Sequence, residues 1–539
     1  MTGSAESTEV GEGTPPGYIR TADVLSALSV AGDMAMALPA GHAIRSCYVG
    51  MCIADQLELT EEQKISLYYS ELLMDAGCTS WASQLAASIM GDELVARREL
   101  FFHCDTRKPI DVLSWLQQYM AVGAPPHVRA RRILDFSLHG KEYLHEALIN
   151  TAEVASRFAQ RLGMPDEVQA TLWTVFEQWD GTGPHRARGN QVPIISGVVN
   201  LTSLVEAFHN FGGRTAAIRM VQGRRGTAFD PAVVDAFLSV SENEAFWIGL
   251  EQKMVWTLVR EMEPPSPYRY LGQEKLRDIA LAFADFADLK SFYSAGHSRR
   301  VGALAERMSR RLSLIKSDVQ DIYLAALTHD LGLVAVPSFA LHKPEAELTQ
   351  GEWERLRLHP YFGERILSRI PCLESVTPLV AAHHEQPDGR GYYRGISGSQ
   401  IPTGARVIAV ADRFDELTHA APGRGPLDPK EALQRMESTR GMALDPDALD
   451  ALSDELGADG PTSVTRKRSV SEKWPADLTD REVEILRLLA TGPTRRQMAD
   501  QLCLSEHTVR HHLEHIYNKL GVNTRVGATL FAVEHGLLH

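Results

Sequence analysis

Between residues 271 and 456, histidines and aspartates interrupt apolar runs that have the three- and four-residue periodicity of helices. Burying an unpartnered carboxylate or imidazole is unfavourable, so such residues need partners inside the fold. One arrangement that satisfies several of them together is a shared cation or a pair of cations. The chain must therefore fold so that distant helix ends converge. The interrupting residues are His297, His329, Asp330, His359, His383, His384 and Asp412.

The chemistry of this set indicates which metals it would hold. Nitrogen and oxygen ligands without thiolate suit iron, manganese, zinc or magnesium, and we expect a divalent metal pair drawn from these. A single histidine in a helix is commonly structural, so the hypothesis depends on the whole set rather than on any one member.

Helical periodicity and the lack of alternating strand patterns predict an all-α fold. A chain of 539 residues is too long for a single core and indicates several domains. Hydrophobic residues make up 44% and charged residues 23%, without an apolar run of about eighteen residues. This composition is typical of a globular, cytoplasmic protein with no membrane partner.

The C-terminal segment 477–539 has the pattern of four short helices. Thr479 and Glu482 have capping-box spacing, and Ser505 can cap a third helix that ends near Leu520. The outer face of that third helix is where a recognition helix presents side chains to the major groove. Because the net charge is −14, any DNA contact must come from one local surface. The predicted DNA-binding residues are Arg495, His507, Thr508, Arg510, His511, Lys519 and Arg525.

An ordered set of motifs supports this interpretation: Leu478-Thr479-Asp480-Arg481-Glu482, Gln497-Met498-Ala499, Leu504-Ser505-Glu506-His507-Thr508-Val509-Arg510 and His515-Ile516-Tyr517-Asn518-Lys519-Leu520-Gly521-Val522. Over its whole length the segment resembles the LuxR-type helix-turn-helix domain. The resemblance implies a transcription regulator that binds DNA. It also implies that a fourth helix, around 526–535, pairs two such domains on a two-fold site, so we expect a homodimer.

The middle of the chain carries a second set of ordered motifs: Thr328-His329-Asp330-Leu331-Gly332, His359-Pro360, His383-His384-Glu385 and Asp388-Gly389-Arg390-Gly391-Tyr392. They resemble the HD-GYP group of HD-superfamily phosphohydrolases, which hydrolyses cyclic di-GMP and related cyclic dinucleotides at a two- or three-metal centre. By this resemblance the seven residues would be metal ligands, with His297 a ligand or a close neighbour and Asp330 a catalytic bridge between two ions. Arg390 and Arg394 would hold phosphate oxygens, or would be solvated loop arginines.

Three positions depart from the family pattern. Leu333 stands where the family usually has a lysine that helps the phosphate, and Tyr393 replaces the proline of the Gly-Tyr-Pro signature. Tyr293, four residues before His297, replaces a carboxylate and favours two metals over three. The ligand set is complete while substrate groups are missing, so the sequence leaves open whether this domain is an enzyme.

The front half resembles a degenerate copy of the same domain. His42 precedes Met74-Asp75-Ala76-Gly77 by the same 32 residues that separate His297 from His329. Glu177-Gln178-Trp179-Asp180-Gly181-Thr182-Gly183 matches the later Asp-Gly-x-Gly block. Met74, Val175-Phe176 and Ser203 stand where the back half has ligands, so we expect no metal pair there.

The predicted order is a disordered leader at 1–18, a degenerate HD-GYP-like domain at 19–238, a helical linker at 239–270, a metal-binding HD-GYP-like domain at 271–456, a linker at 457–476 and the LuxR-type domain at 477–539. The leading hypothesis is a regulator whose metal-binding domain senses or hydrolyses a phosphorylated nucleotide, such as a cyclic dinucleotide, and alters DNA binding. One alternative is a phosphodiesterase that the DNA-binding domain merely localises. Another is a non-catalytic scaffold with a structural metal.

Overall fold

The structure, a computed structural model, describes residues 14–103, 108–458 and 473–538. Most of the predicted leader and most of the second predicted linker lie outside these residues. The described chain is built of α-helices and one pair of short strands, which confirms the all-α prediction. None of the described helices combines the length and apolarity that crossing a bilayer requires.

The front half begins with strand β1 (Tyr18–Arg20) and continues as twelve helices. They are α1 (Thr21–Ala35), α2 (His42–Gln56), α3 (Glu61–Leu73), α4 (Ala82–Ile89), α5 (Glu93–His103), α6 (Pro109–Tyr119), α7 (Pro126–Arg161), α8 (Asp166–Trp173), α9 (Ile194–Gly223), α10 (Pro231–Ser241), α11 (Glu244–Glu251) and α12 (Val255–Glu261).

The back half begins with strand β2 (Tyr270–Gly272), and its helices are α13 (Leu276–Asp288), α14 (His297–Arg311), α15 (Lys316–Thr328), α16 (Ser338–Leu341), α17 (Gln350–Arg357), α18 (His359–Leu367), α19 (Thr377–Ala381), α20 (Thr403–Thr418), α21 (Pro429–Glu437) and α22 (Pro446–Ala458). The C-terminal domain contains α23 (Asp480–Ala490), α24 (Arg495–Leu502), α25 (Glu506–Leu520) and α26 (Arg525–Glu534). A 3-10 helix, Leu331–Ala335, follows the His329-Asp330 pair.

The two halves share one hydrophobic core instead of packing as separate bodies. Strand β1 pairs antiparallel with β2, which joins the start of one half to the start of the other. Helix α1 packs against α18 and against the 3-10 helix beside the His329-Asp330 pair. Helices α11 and α12, in the segment predicted as a linker, pack on α2 and add Phe246, Trp247 and Val259 to the core. We call this joined unit, residues 18–458, the body.

The internal repeat predicted from the sequence is visible in the helices. Helices α2 and α14 have the same length, and each begins at a histidine that follows a left-handed glycine. Helices α3 and α15 also match in length, and they end immediately before Met74 and His329. Each half keeps a glycine because the backbones pass too closely for a side chain. A Cβ on Gly332 would lie 1.9 Å from the carbonyl oxygen of His359, and one on Gly77 would lie 2.0 Å from that of Thr151.

In the front copy, the buried histidine His42 forms an ion pair with Glu206. His42 Nδ1 bonds to the Glu206 carboxylate, and Arg45 Nε lies 2.5 Å from the other oxygen of that carboxylate. His42 Nε2 lies 3.1 Å from the Ser203 hydroxyl. Burial would lower the pKa of His42, but Glu206 outweighs it and raises that pKa to about 9. The imidazolium and the guanidinium in turn lower the pKa of Glu206 to about 2, against the effect of burial.

This pair predicts a pH-dependent contribution to stability. A histidine whose pKa is raised on folding stabilises the fold fully below its unfolded pKa of about 6.5, and the contribution is lost as pH rises through the folded value. The depressed pKa of Glu206 keeps its own contribution present above about pH 4.5. We therefore expect Glu206→Gln to lower the thermal midpoint most between about pH 5 and 6.5, and progressively less towards pH 9.

Thermal denaturation of the full chain across this pH range measures the difference between wild type and variant. Glu142→Gln, at a solvent-exposed position on α7, serves as the matched control and should give a small difference at every pH. A Glu206→Gln effect of constant size from pH 5 to 9 would contradict the ion pair.

Candidate metal centre and DNA-binding surface

The structure brings the seven residues of the predicted ligand set together. His297 and His359 are the first residues of α14 and α18. His329 and Asp330 directly follow α15, and the His383-His384 pair comes shortly after α19. Six of the seven residues therefore lie at or next to helix ends, and Asp412 lies within α20, so helices fix their positions. Buried members of the set are His297, His329, His359, His383 and Asp412.

The seven side chains form two groups that share Asp330. One group is His297, His329 and Asp330, and the other is His359, His383 and His384. Asp330 Oδ1 lies 3.4 Å from His359 Nε2, while its Oδ2 lies 3.5 Å from His329 Nε2. Asp412 Oδ1 closes the first group at 3.2 Å from His297 Nε2. This geometry has room for two ions with Asp330 between them.

Backbone carbonyls select the protonation state of three imidazoles. The Nδ1 atoms of His329, His359 and His383 lie 2.8, 2.8 and 2.6 Å from carbonyl oxygens three residues earlier in the chain. A carbonyl accepts only, so each Nδ1 must carry the proton and donate it. In His359 and His383, whose pKa values are lowered by burial, each Nε2 is then an unprotonated lone pair, which is the form that binds metal; His329 reaches this form when it loses a proton.

Two observations show that these lone pairs fit a cation. His359 Nε2 and His383 Nε2 lie only 3.1 Å apart, and two unprotonated nitrogens at that distance repel unless a positive charge lies between or beside them. His329 Nε2 is buried and has no hydrogen-bond partner. A buried polar atom without a partner costs roughly 1–3 kcal/mol, which coordination would recover. The donor set thus fits divalent metal.

The pKa values of the imidazoles differ between the two groups of the centre. Burial lowers the pKa of His383 far below its ordinary value, and burial beside His359 lowers the pKa of His384 to about 3. Both imidazoles are therefore neutral. Burial also acts on His329, but Asp330 and Asp412 outweigh it and raise the pKa of His329 to about 9. Metal binding at this group must displace a proton, so it releases protons at neutral pH.

A second layer of residues orients His297, and the sequence motifs did not point to it. Asp415 accepts a hydrogen bond from His297 Nδ1 at 2.8 Å and is held in turn by Arg300 Nε at 2.7 Å. The internal repeat contains the signal that could have found these residues. In the front copy, Glu206 pairs with His42 and is held in turn by Arg45.

The loop after the histidine pair covers one side of the centre. The Tyr392 ring lies 4.8 Å from the His384 ring, and the Arg357 guanidinium lies 5.1 Å from the Tyr392 ring centre. Arg390, predicted to hold phosphate, has a side chain that is 86% exposed. Arg394 pairs with Glu364 and with the Tyr393 hydroxyl, so its charge is already engaged within the protein.

The C-terminal domain has the four predicted helices. The capping box of Thr479 and Glu482 is formed, and Ser505 accepts a hydrogen bond from Thr508 N at 3.0 Å to cap α25. The inward residues of α25 are buried, while the outer face is open to solvent. Exposed members of the predicted DNA-binding set are Arg495, His507, Arg510, His511 and Lys519, and Thr508 is half-buried beside Ser505.

Two cationic residues of the predicted DNA-binding set form contacts within the C-terminal domain. Arg525 donates to the carbonyl oxygens of Pro493 and Leu489 at 2.8 and 2.5 Å, and burial lowers its pKa. Lys519 pairs with Glu482 at 2.7 Å and also donates to a backbone carbonyl. Both charges join helices within the domain in this structure, and the phosphate contacts predicted for the two residues stay predictions.

Comparison with known families agrees with these sites. Residues 282–448 match the model of the HD domain family. Residues 476–532 match the model of bacterial regulatory proteins of the luxR family.

The chain is also similar to proteins with curated names. It is 30% identical over 437 residues to 3'3'-cGAMP-specific phosphodiesterase 3 of Vibrio cholerae serotype O1, a match that covers 80% of this chain and 94% of that protein. The chain belongs to the HD-GYP family, and a LuxR-type domain forms its C-terminus. A crystal structure of a cyclic GMP-AMP specific phosphodiesterase from V. cholerae superposes with a TM-score of 0.57 at 27% identity, over 82% of this chain and 98% of that one. A cyclic di-GMP phosphodiesterase of Thermotoga maritima is 36% identical over 157 residues, which are 29% of this chain and 42% of that protein.

As an HD-GYP protein, the chain has a divalent metal pair as its cofactor, and the seven side chains would hold it. Leu333 and Tyr393 remain departures from the family pattern. Within the described residues, groups of three or more potential ligands are found in the back half alone. The front copy keeps its histidine, but in an ion pair.

Replacing Asp330 with Asn should reduce bound metal from about two ions per chain to about one or fewer, because an amide bridges two cations poorly. Elemental mass spectrometry on chain loaded with Mn²⁺ and desalted measures the ratio. Asp75→Asn is the matched control, since Asp75 is the counterpart of Asp330 in the front copy. Burial raises the pKa of Asp75, so the neutral amide resembles its favoured form. Equal metal content in the two variants would contradict the assignment.

Proposed function

We propose that the chain is a DNA-binding transcription regulator whose metal centre binds and hydrolyses a cyclic dinucleotide. The observation that carries the proposal is the convergence of the seven side chains, five of them buried, around Asp330. Similarity along almost the whole length of a 3'3'-cGAMP-specific phosphodiesterase supports a phosphodiester as the substrate. Among cyclic dinucleotides, 3'3'-cGAMP and cyclic di-GMP are the two to test first.

The residues around the centre have distinct tasks in this proposal. A bound metal pair supplies acidity that activates water and positive charge that stabilises the attacked phosphate. Asp415 and Arg300 hold the His297 ring in place, so that its Nε2 points at the centre. The Tyr392 ring, next to His384, gives a base or ribose a flat apolar surface. Tyr392 is half-buried, so it also limits the access of bulk water from that side.

The HD-GYP family usually has a lysine where this chain has Leu333. In this proposal, two arginines beside the metal centre take the role of that lysine. Arg413 follows the ligand Asp412. Its side chain is 45% exposed and pairs with Glu416 at 2.8 Å, a contact that a phosphate oxygen would replace. Arg357 precedes the ligand His359 by two residues and lies over Tyr392. Both guanidinium groups can meet a phosphate oxygen as bidentate donors. We therefore assign substrate charge recognition to Arg357 and Arg413 rather than to Arg390.

Full-length chain loaded with Mn²⁺ or Fe²⁺ should convert 3'3'-cGAMP or cyclic di-GMP to a linear dinucleotide, as followed by liquid chromatography. Asp330→Asn should reduce the rate by at least about 100-fold, because loss of a bridging ligand costs at least as much as loss of an outer-shell partner. Asp75→Asn should retain wild-type activity.

Other outcomes of the same assay separate the remaining hypotheses. Tight binding of a cyclic dinucleotide without a product would contradict hydrolysis and favour a sensor. Folded, metal-loaded protein that neither binds nor cleaves either nucleotide would contradict both proposals and favour a scaffold.

The exposed face of α25 carries the proposal of DNA binding. Arg510 lies on that face, and its one ion pair, with Glu514 at 3.5 Å, is exposed to solvent and weak. Arg510→Ala should weaken binding to duplexes selected from a randomised DNA pool by about 1–3 kcal/mol, if Arg510 contacts a base edge. Fluorescence anisotropy measures the affinity.

Arg310→Ala is the matched control for this prediction. Arg310 is exposed on α14 and forms a comparable ion pair with the residue four positions earlier, Glu306. It lies outside the C-terminal domain and should leave DNA affinity unchanged. Equal affinity of the Arg510→Ala variant and the wild type would show that α25 does not read this DNA.

A further inference from the structure

Helix α26 has two apolar faces that pack against different partners. Ala528 and Ala532 belong to the core of the C-terminal domain itself. Val526 and Leu530, one helical turn apart, belong instead to the core of the body. Both side chains are buried, at 4% and 2% exposure. The C-terminal domain is therefore docked on the body through the outer face of its last helix.

Polar contacts on α7 reinforce this docking. The Glu153 carboxylate accepts a hydrogen bond from Asn523 N at 3.1 Å, and a Cβ on Gly527 would lie only 2.6 Å from the same carboxylate. Arg157 donates to the carbonyl oxygen of Gly521 at 3.2 Å. Arg161 lies 3.4 Å from Glu534. One face of α7 thus meets both ends of α26.

The docked domain also touches the loop that leads to the metal centre. Phe292 packs against the backbone at Gly492, and a Cβ on Gly296 would lie 3.9 Å from Val533. Gly296 immediately precedes the ligand His297. A cavity of about 40 Å³ remains in this interface, lined in part by Phe292, Val526 and Leu530.

A helix-turn-helix domain reads a two-fold site as a pair, so two C-terminal domains need a surface on which to meet. Among the described residues 473–538, no large apolar side chain is exposed. The apolar surface that a second domain could use is the Val526 and Leu530 face of α26, and the body covers it. The recognition helix α25 stays open to solvent in the same state.

We propose that the body is a docking partner that competes with a second copy of the C-terminal domain for the same face of α26. The docked chain is then a weak DNA binder, since it presents α25 but cannot pair. Because α7 belongs to the front half, the metal-free copy gains a function as the docking platform. Gly296 lies next to the ligand His297 and close to the docked domain. A change at the metal centre can therefore shift the equilibrium between the docked and the undocked C-terminal domain. The inference rests on the proposed DNA binding and is independent of hydrolysis.

Variants on the body side test this without altering the DNA-binding domain. Glu153→Lys removes the acceptor for Asn523 N and places a cation beside Arg157, so it should release α26. Hydrogen–deuterium exchange of the full chain should then speed up over 525–534. Affinity for duplexes selected from a randomised DNA pool should rise about tenfold or more, within the range of coupling between sites in proteins. Arg161→Glu, which opposes Glu534 and also removes the ion pair of Arg161 with Asp285 at 2.6 Å, should act in the same direction.

Glu142→Lys is the matched control, because it makes the same charge change at an exposed position of α7 away from α26. It should leave both exchange and affinity unchanged. Leu530→Asp should speed up exchange without raising affinity, since it removes the face that pairing needs.

Unchanged exchange in both Glu153→Lys and Arg161→Glu would show that the docked state is not formed, and would overturn the inference. Faster hydrogen–deuterium exchange over 525–534 with unchanged DNA affinity would show that the body and a second C-terminal domain do not compete for α26. If wild type and every variant fail to bind DNA, the proposed DNA binding fails instead, and the exchange data still decide whether α26 docks.

Discussion

The burial of imidazole and carboxylate groups at one point is the constraint on which the structure depends. Leaving one buried charge uncompensated costs about 3–5 kcal/mol, which is a large part of the net stability of a domain. The back half meets this cost with a ligand set shaped for cations. Carbonyl oxygens hold the Nδ1 protons of His329, His359 and His383, so their Nε2 atoms face inward. Close backbone approach at Gly332 then sets His359 beside Asp330.

The two halves show two solutions to the same packing problem. Both keep the histidine at the start of a helix, the arginine three residues later and the carboxylate that joins them. In the front copy Met74 occupies the place of His329, and the polar residues that remain neutralise one another as His42 and Glu206. Loss of the ligands therefore left the helices intact. Helix α7 of this half contacts α26 of the C-terminal domain.

The sequence predicted features that depend on local chemistry and periodicity. Helix periodicity and capping boxes located the four C-terminal helices, and the unusual placement of polar residues located the ligand set. Long-range features were not predictable, because nothing local encodes them. The β1–β2 pairing and the shared core are of this kind. Arg525 shows a second limit of prediction from sequence. A long cationic side chain can reach a phosphate or a carbonyl oxygen of its own domain equally well. In this structure Arg525 reaches the carbonyl oxygens of Leu489 and Pro493.

The central claim is that the buried ligands converge on two cations with Asp330 between them. Anomalous diffraction from crystals of the full chain grown with Mn²⁺, recorded on both sides of the manganese edge, tests it directly. The account predicts two peaks about 3.5–4 Å apart, one beside His297 and His329 and the other beside His359, His383 and His384. A single peak away from Asp330, or no peak within this set of side chains, would contradict it.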